Sequence, residues 1–197
     1  MLDFLISNTW AIAILWIALY VFDYASTLWL ARVYRTTLSS YIHYEGGVEL
    51  NPNFEQEIAR GQMPSPRFIL LLALVLLIVL FSWLLGVYFV EFLAGALLLT
   101  WVFVDSRHLR NYAFIRFLRR KPDSLKGRSE YSYWLMQKTI SSEAFTFSLF
   151  YLFLALLTLR LFFLAGVVTC LSFALRHNRL ANRKLSTTPT RPKITVH

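Results

Sequence analysis

Charged side chains are scarce in this sequence. Asp, Glu, Lys and Arg make up 16% of its 197 residues and hydrophobic residues 57%, whereas soluble domains contain about 25% charged residues. Because a charged side chain in hydrocarbon costs about 3 kcal/mol or more, this deficit favours a protein surrounded by lipid. Lipid excludes irregular backbone and open sheet edges, and the apolar runs show no strand-like alternation, so the membrane spans are predicted to be helices.

Cysteine is nearly missing, and the familiar catalytic motifs are missing altogether. The single cysteine, Cys170, lies in an apolar stretch, which excludes an internal disulfide and indicates a small buried residue. The sequence contains no HExxH, CxxC or GxSxG motif and no phosphate-binding glycine loop. The usual spacings for zinc-dependent hydrolysis, acyl transfer and nucleotide binding are therefore missing. No motif names a reaction, and the sequence leaves open whether the chain is an enzyme.

The amino terminus lacks the features of a cleaved secretory signal. Residues 1–9 contain Asp3 and neither Lys nor Arg, and no small-residue cleavage site follows. We therefore expect the first apolar segment, residues 10–30, to be a retained membrane span.

Long apolar runs are what the sequence has in abundance. The run from Phe68 to Val104 contains one charged residue, Glu91, and it is far longer than the ~20 residues that one span needs. It predicts two spans, at 68–86 and 88–106, with a turn at Gly86 and with Glu91 near that outer turn, where a carboxylate costs little.

The last apolar stretch, residues 144–175, has Arg160 near its middle. It fits either one long tilted helix with a buried arginine or a hairpin of two short helices. The basic clusters on either side should lie on the same side of the membrane, which requires an even number of crossings between them. We therefore favour a hairpin with spans at 144–158 and 161–176, although each arm is short for a normal bilayer.

Together these runs predict an all-α, polytopic helical membrane protein with about five transmembrane helices, one N-terminal span plus two hairpins. We expect a single helical domain over residues 1–184, with a polar cytoplasmic segment at 31–67, a basic cytoplasmic segment at 107–142 and a flexible polar tail at 185–197. Within the basic segment, residues 129–140 predict a short interfacial amphipathic helix, because their aromatic and apolar residues share one helical face. Those residues are Tyr131, Trp134 and Leu135, with Lys138 beside them.

The formal net charge of +9 indicates an anionic partner. Residues 107–128 contain eight Lys or Arg and one acid, and residues 176–193 contain six and none. Clusters of this kind beside membrane spans usually stay in the cytoplasm and face anionic lipid head groups. We therefore expect an N-terminus outside and a C-terminus in the cytoplasm, in the cell (inner) membrane. Membrane lipids explain the charge better than nucleic acid does.

Four carboxylates and one imidazole are expected in the cytoplasmic half of the molecule: Asp23, Glu45, Glu49, Asp105 and His108. Asp23 lies inside the first span, where its charge needs a partner or a proton. Oxygen ligands with one imidazole suit a divalent metal ion, and intramembrane Asp and His also line proton paths. We predict a site that binds a cation or relays protons, with Asp23, Asp105 and His108 as candidate catalytic residues and a lipid-like molecule as one substrate class.

A non-catalytic alternative stays open. Asp23 can pair with Arg107 or Arg110 as an interhelical contact, and Glu45 and Glu49 can be ordinary solvated loop residues. In that case the protein is a subunit or assembly factor of a larger membrane complex, or a homo-oligomer. Its small size favours this alternative, and the clustering of acids favours the site.

Overall fold

The computed structural model of the chain describes residues 2–39, 41–44, 65–121, 124, 127 and 129–185. Within these residues, five helices are long and apolar enough to cross a membrane, which confirms the predicted all-α polytopic fold. A short helix precedes them and two short strands lie between them. In chain order the elements are α1 (Leu2–Ser7), α2 (Thr9–Val33) with a π-helical turn (Tyr34–Leu38), β1 (Ile42–Tyr44), α3 (Pro66–Phe81) with a 3-10 turn (Ser82–Leu85), α4 (Val87–Arg120), β2 (Ser129–Tyr131), α5 (Tyr133–Thr158) and α6 (Leu161–Leu185).

Side chains with an oxygen acceptor start three of the long helices. Asn8 accepts a hydrogen bond from the Ala11 amide at the start of α2. Ser65 and Ser132 do the same at the starts of α3 and α5, and Pro66 occupies the first position of α3, where its missing N–H costs nothing. The helix starts are thus encoded locally in the sequence.

Backbone with positive φ separates the helices within each hairpin. Gly86 has φ of 93° and lies between α3 and α4, at the predicted turn. Leu159 has φ of 53°, in the left-handed region that non-glycine residues rarely adopt. Arg160 follows it directly, before α6 begins. The second hairpin is therefore confirmed, and the single tilted helix across residues 144–175 is excluded.

Contacts between α4 and α6 show that these two helices run in the same direction. The Thr100 hydroxyl donates a hydrogen bond to the Thr169 hydroxyl at 2.8 Å. Nearer the starts of both helices, Gly95 packs directly on the backbone of Phe162, and a Cβ added at Gly95 would lie 1.9 Å from the Phe162 carbonyl oxygen. Residues that come later in α4 thus contact residues that come later in α6, and α5 connects the two helices in the chain by running in the opposite direction.

Aromatic contacts place α2 alongside α4 in the same direction. The rings of Tyr20 and Trp101 lie 5.6 Å apart, and those of Trp29 and Tyr112 lie 5.3 Å apart. Tyr20 also stacks on Phe68 at the start of α3, with ring centroids 4.6 Å apart. Helices α2, α4 and α6 therefore point one way, and α3 and α5 point the other.

The bundle consequently has two distinct ends. We call the end that carries Arg107, Arg110 and Arg176 the basic end, and the end that carries Gly86 and Leu159 the turn end. The arginines at the end of α4 and those on α6 lie at the same end of the bundle. This agrees with the even number of membrane crossings that the sequence predicts between the two basic clusters.

The region after α4 differs from the sequence prediction in one respect. Residues 129–140 do not form a separate amphipathic helix, because residues Ser129–Tyr131 are a strand and α5 runs unbroken from Tyr133 to Thr158. Ser132 caps this helix, and no helix-breaking residue follows before Leu159, so the amphipathic turns continue directly into the span. Strand β2 pairs in parallel with β1, with Ile42 opposite Ser129, which the sequence did not indicate. Residues 186–197 of the predicted tail lie outside the described residues.

Candidate functional site

Asp23 and His108 meet between α2 and α4. The Nε2 atom of His108 lies 2.8 Å from Oδ1 of Asp23 and 3.4 Å from the hydroxyl of Thr27. Thr27 follows Asp23 by four residues, so both side chains leave the same face of α2. Both members of the pair are mostly covered, with side-chain exposures of 21% for Asp23 and 15% for His108.

The contact between Asp23 and His108 requires one shared proton, which either partner can carry. An ionised carboxylate only accepts hydrogen bonds, so Nε2 of His108 must carry a proton when Asp23 is ionised. If Asp23 is protonated, its hydroxyl donates to Nε2 instead. A proton can therefore lie on either side of a short contact, and the pair is chemically able to exchange it.

Asp105 lies one turn before His108 on α4 and is buried, with 5% exposure. It interacts electrostatically with both Asp23 and His108. Among the described residues, neither carboxylate oxygen of Asp105 has a hydrogen-bond partner, and the same holds for the buried Nδ1 of His108. Since a buried charge without a partner is strongly disfavoured, Asp105 requires a proton or a ligand.

Of the five residues predicted for the site, the structure brings Asp23 and His108 into direct contact and places the buried Asp105 one turn before His108 on α4. Glu45 and Glu49 lie outside the described residues. In the part of the chain that is described, no group of three or more His, Cys, Asp or Glu side chains is arranged to hold a metal ion. The geometry therefore supports an acid–imidazole site more directly than a metal centre.

A second charged group, missed by the sequence interpretation, joins α4 to α5 near the site. Glu143 forms ion pairs with both Arg107, at 3.0 Å from its Nε, and Arg110. Arg107 and Arg110 thus have a carboxylate partner on α5, whereas Asp23 pairs with His108. The i, i+3 spacing of the arginines was a usable signal for a shared face, but the sequence did not identify Glu143 as their partner.

Helices α5 and α6 are joined by a buried polar pair at the same end. Nδ1 of His177 donates to Oε1 of Gln137 at 2.5 Å, and both residues are buried. The Ser141 hydroxyl donates to the Ala174 carbonyl at 2.8 Å. His177 is therefore covered by α5 and does not face the surroundings of the bundle.

The turn end has polar contacts of a different kind. Glu91 is buried, with 6% exposure, and accepts a hydrogen bond from the Phe162 amide at 3.4 Å. That amide belongs to the first turn of α6, where no intrahelical acceptor is available. Asp3 and Arg160 form an ion pair at 2.6 Å on the outside of the bundle. The expectation of a solvated Glu91 is corrected, because Glu91 caps α6 from a neighbouring helix.

The outer surface of the helices is apolar along most of its length, with exposed side chains such as Leu70, Leu77, Phe153 and Leu156. Five long apolar helices with this exterior define an integral, multi-pass membrane protein. Comparison of the chain with protein-family models, with curated proteins and with solved structures gave no match. The arrangement of the chain's own residues therefore carries the functional argument.

Proposed function

We propose that this membrane protein handles protons at a site formed by Asp23, His108 and Asp105. The observation that carries the proposal is the 2.8 Å contact between Asp23 and His108 beside the buried Asp105, whose oxygens have no partner among the described residues. Ionisable groups inside a membrane bundle are costly, and a recurrent use that offsets this cost is proton transfer.

In this proposal Asp105 and the Asp23–His108 pair exchange protons with water at the basic end. His108 is central because its two ring nitrogens can serve different partners. Nε2 faces Asp23 and Thr27, and Nδ1 is left for a water molecule or for a carboxyl group. Protonation at one nitrogen and release from the other would move a proton through the imidazole.

Infrared difference spectroscopy of the purified protein, recorded between acidic and alkaline pH, tests the proposal. A protonated carboxyl group has a distinct carbonyl stretch, so we expect a pH-dependent band that Asp105→Asn removes and Asp23→Asn shifts. Asp3→Asn is the matched control, because Asp3 lies outside the bundle, and it should leave the band unchanged. A band that persists in both site variants would contradict proton exchange at this site.

A second candidate function, a non-catalytic subunit, is favoured by the fact that the Asp23–His108 contact joins two helices directly. In that case the pair stabilises the bundle and the partner is a second copy or another membrane protein. Asp23→Asn would then lower thermal stability in detergent without changing proton uptake.

Stable binding of Mn²⁺ that is lost in Asp105→Asn would instead support the divalent cation predicted from the sequence.

We further propose that the basic end faces the cytoplasm, as the positive-inside rule predicts. Cysteine-accessibility labelling in intact cells tests this orientation. The native Cys170 is buried and gives a silent background. Tyr88→Cys and Leu159→Cys, at positions 74% and 86% exposed, should react with an impermeant reagent from outside, and Ser124→Cys should react only after the membrane is opened. The opposite labelling pattern would reverse the orientation.

A further inference from the structure

Tyr20, near the middle of α2, lies in a cluster of aromatic side chains that adjoins the proposed proton site. Its ring stacks on Trp16, with centroids 5.0 Å apart, and on Phe68 at the start of α3. The ring of Trp101 on α4 lies 5.6 Å away. Tyr20 precedes Asp23 by three residues, so the two side chains share a face of α2. Tyr20 is therefore held between α2, α3 and α4, one turn closer to the turn end than Asp23.

The hydroxyl group of Tyr20 distinguishes it from the other buried tyrosine of comparable exposure, Tyr151. Tyr20 is 6% exposed, and its hydroxyl has no hydrogen-bond partner among the described residues. Tyr151 is 3% exposed, and its hydroxyl donates to the Leu99 carbonyl at 3.0 Å. Because a buried hydroxyl is costly without a hydrogen bond, the Tyr20 hydroxyl requires a partner of the kind that Tyr151 already has.

Further polar atoms without partners lie along the same interface between α2 and α4. Within the described part of the chain, neither Nε1 of the buried Trp16 nor the carboxylate oxygens of Asp105 form a hydrogen bond. Asp105 follows Trp101 by four residues and so shares its face of α4. Asp23 interacts electrostatically with both Tyr20 and Asp105. The stretch of α2 from Trp16 to Asp23, about 10 Å at ~1.5 Å per residue, thus carries polar groups at successive turns of one face.

We propose that the Tyr20 hydroxyl, the Trp16 indole and the carboxyl group of Asp105 bind a short chain of water molecules between α2 and α4. Buried water typically forms about three hydrogen bonds to polar groups that otherwise have none. The three side chains supply both kinds of group, since the indole only donates, an ionised carboxylate only accepts and the hydroxyl does both. Water bound to Asp105 can accept its proton, and this role of the water rests on the proposed proton exchange.

The proposed water chain ends at Trp16. Ile12 lies one turn before Trp16 on the same face of α2 and is apolar and buried. Val90 and Ala94, near the start of α4, belong to the same buried hydrophobic cluster. Since α2 and α4 run in the same direction, these residues lie between Trp16 and the turn end. The water chain therefore extends the proton site toward the middle of the membrane without opening it to the turn end.

X-ray radiolysis of the full chain in detergent tests for the bound water. X-rays generate hydroxyl radicals from water itself, so a buried ring beside bound water is oxidised, and an equally buried ring away from water is protected. We expect Tyr20 and Trp16 to be oxidised several-fold faster than Tyr151, which is the matched control. Equal and slow oxidation of Tyr20 and Tyr151 would overturn the proposal.

Tyr20→Phe then tests the role of the hydroxyl, because it removes that group and keeps the stacked ring. We expect slower oxidation of Trp16 and a shift of the carbonyl band of protonated Asp105 to higher wavenumber, since the carboxyl group loses a water-mediated hydrogen bond. Tyr151→Phe is the matched control and should change neither. A shifted band without oxidation of Tyr20 in the unmodified protein would show a direct hydrogen bond from Tyr20 and would overturn the water chain.

The two measurements separate this proposal from the proposed function. Fast oxidation of Tyr20 and Trp16 without a pH-dependent carboxyl band would support the bound water and contradict proton exchange. A pH-dependent band that Tyr20→Phe leaves unchanged, together with protection of Tyr20, would support proton exchange and overturn the water chain. Thermal unfolding shows whether each variant is folded, and if Tyr20→Phe is not, the comparison of Tyr20 with Tyr151 in the unmodified protein decides.

Discussion

The two ends of this bundle use the same kinds of polar residue in opposite ways. At the turn end, the Glu91 carboxylate accepts a hydrogen bond from a helix amide, and Gly95 lets α4 touch the backbone of α6. At the basic end, Asp105 is just as buried as Glu91 but has no hydrogen-bond partner among the described residues, and a cavity separates α2, α4 and α5. At the turn end the helices are in close contact and the carboxylate is hydrogen-bonded. At the basic end a cavity remains, and the buried carboxylate of Asp105 has no hydrogen-bond partner among the described residues.

This difference distinguishes residues that hold the fold from residues that are available for chemistry. A buried carboxylate that satisfies a helix amide stabilises the structure. A buried carboxylate without a partner destabilises it, and such groups are retained where function requires them. We therefore expect substitutions at the turn end to reduce stability, and substitution of Asp105 at the basic end to change function at equal or greater stability.

The largest effect is expected at Gly95. Gly95→Ala should lower the free energy of unfolding by about 3 kcal/mol or more, because the new methyl group meets the backbone of α6 and cannot be accommodated by a rotamer change. Gly166→Ala is the matched control. Its methyl group would meet the side chains of Leu99 and Tyr151, which can move, so a smaller loss of about 1–2 kcal/mol is expected. Thermal or denaturant unfolding in detergent measures both, and equal effects would contradict a backbone contact.

The next effect compares the two buried carboxylates. Asp105→Asn should raise the free energy of unfolding by about 1 kcal/mol, since it removes a buried ionisable group without a partner. Glu91→Gln should lower it by about 1 kcal/mol, since it weakens the hydrogen bond to Phe162. The opposite signs are the test, and they are read from unfolding curves recorded side by side. A loss of stability in both variants would mean that Asp105 has a structural partner.

A smaller effect is expected for the contact between Asp23 and His108. A double-mutant cycle with Asp23→Asn and His108→Gln should give a coupling energy of about 0.6 kcal/mol, within the range measured for polar contacts between membrane helices. The same cycle on Ser141 and Thr169, which do not contact each other in the described structure, should give about zero. A coupling energy near zero would show that Asp23 and His108 do not interact, and it would also count against the proposed proton exchange.

The smallest effect is expected at the surface of the turn end. Asp3→Asn breaks the ion pair with Arg160, but Asp3 is largely exposed, and exposed pairs contribute less than about 1 kcal/mol. The free energy of unfolding should therefore change little, and the change should vanish at high salt. A large, salt-independent loss would show that α1 is held to the hairpin by this pair.

The sequence predicted the fold well because its signals are local. The long apolar runs, the glycine at position 86 and the arginine at position 160 each act over a few residues, and the structure has its helices and turns at those places. The shared face of Asp105 and His108 also follows from spacing alone. These predictions required no knowledge of which helices are neighbours.

The remaining features depend on packing between distant segments. Whether Arg107 pairs with Asp23 or with Glu143 depends on the rotation of α5 relative to α4. The burial of Glu91 depends on the start of α6 approaching the start of α4, and the amide that it accepts becomes available only through that approach. The proposed interfacial helix was wrong because an amphipathic pattern does not show where a helix ends, and here α5 simply continues.

The parallel pairing of β1 with β2 has a consequence for how the chain is assembled. Parallel strands must be linked by a crossover, and here the crossover consists of α3 and α4, which cross the membrane and return. Ile42 can meet Ser129 only after the chain of both helices has been synthesised. The small sheet can thus form only after the first hairpin has been made, and protection of the Ser129 amide from hydrogen exchange by its bond to Tyr41 would mark chains in which the segments before and after that hairpin have come together.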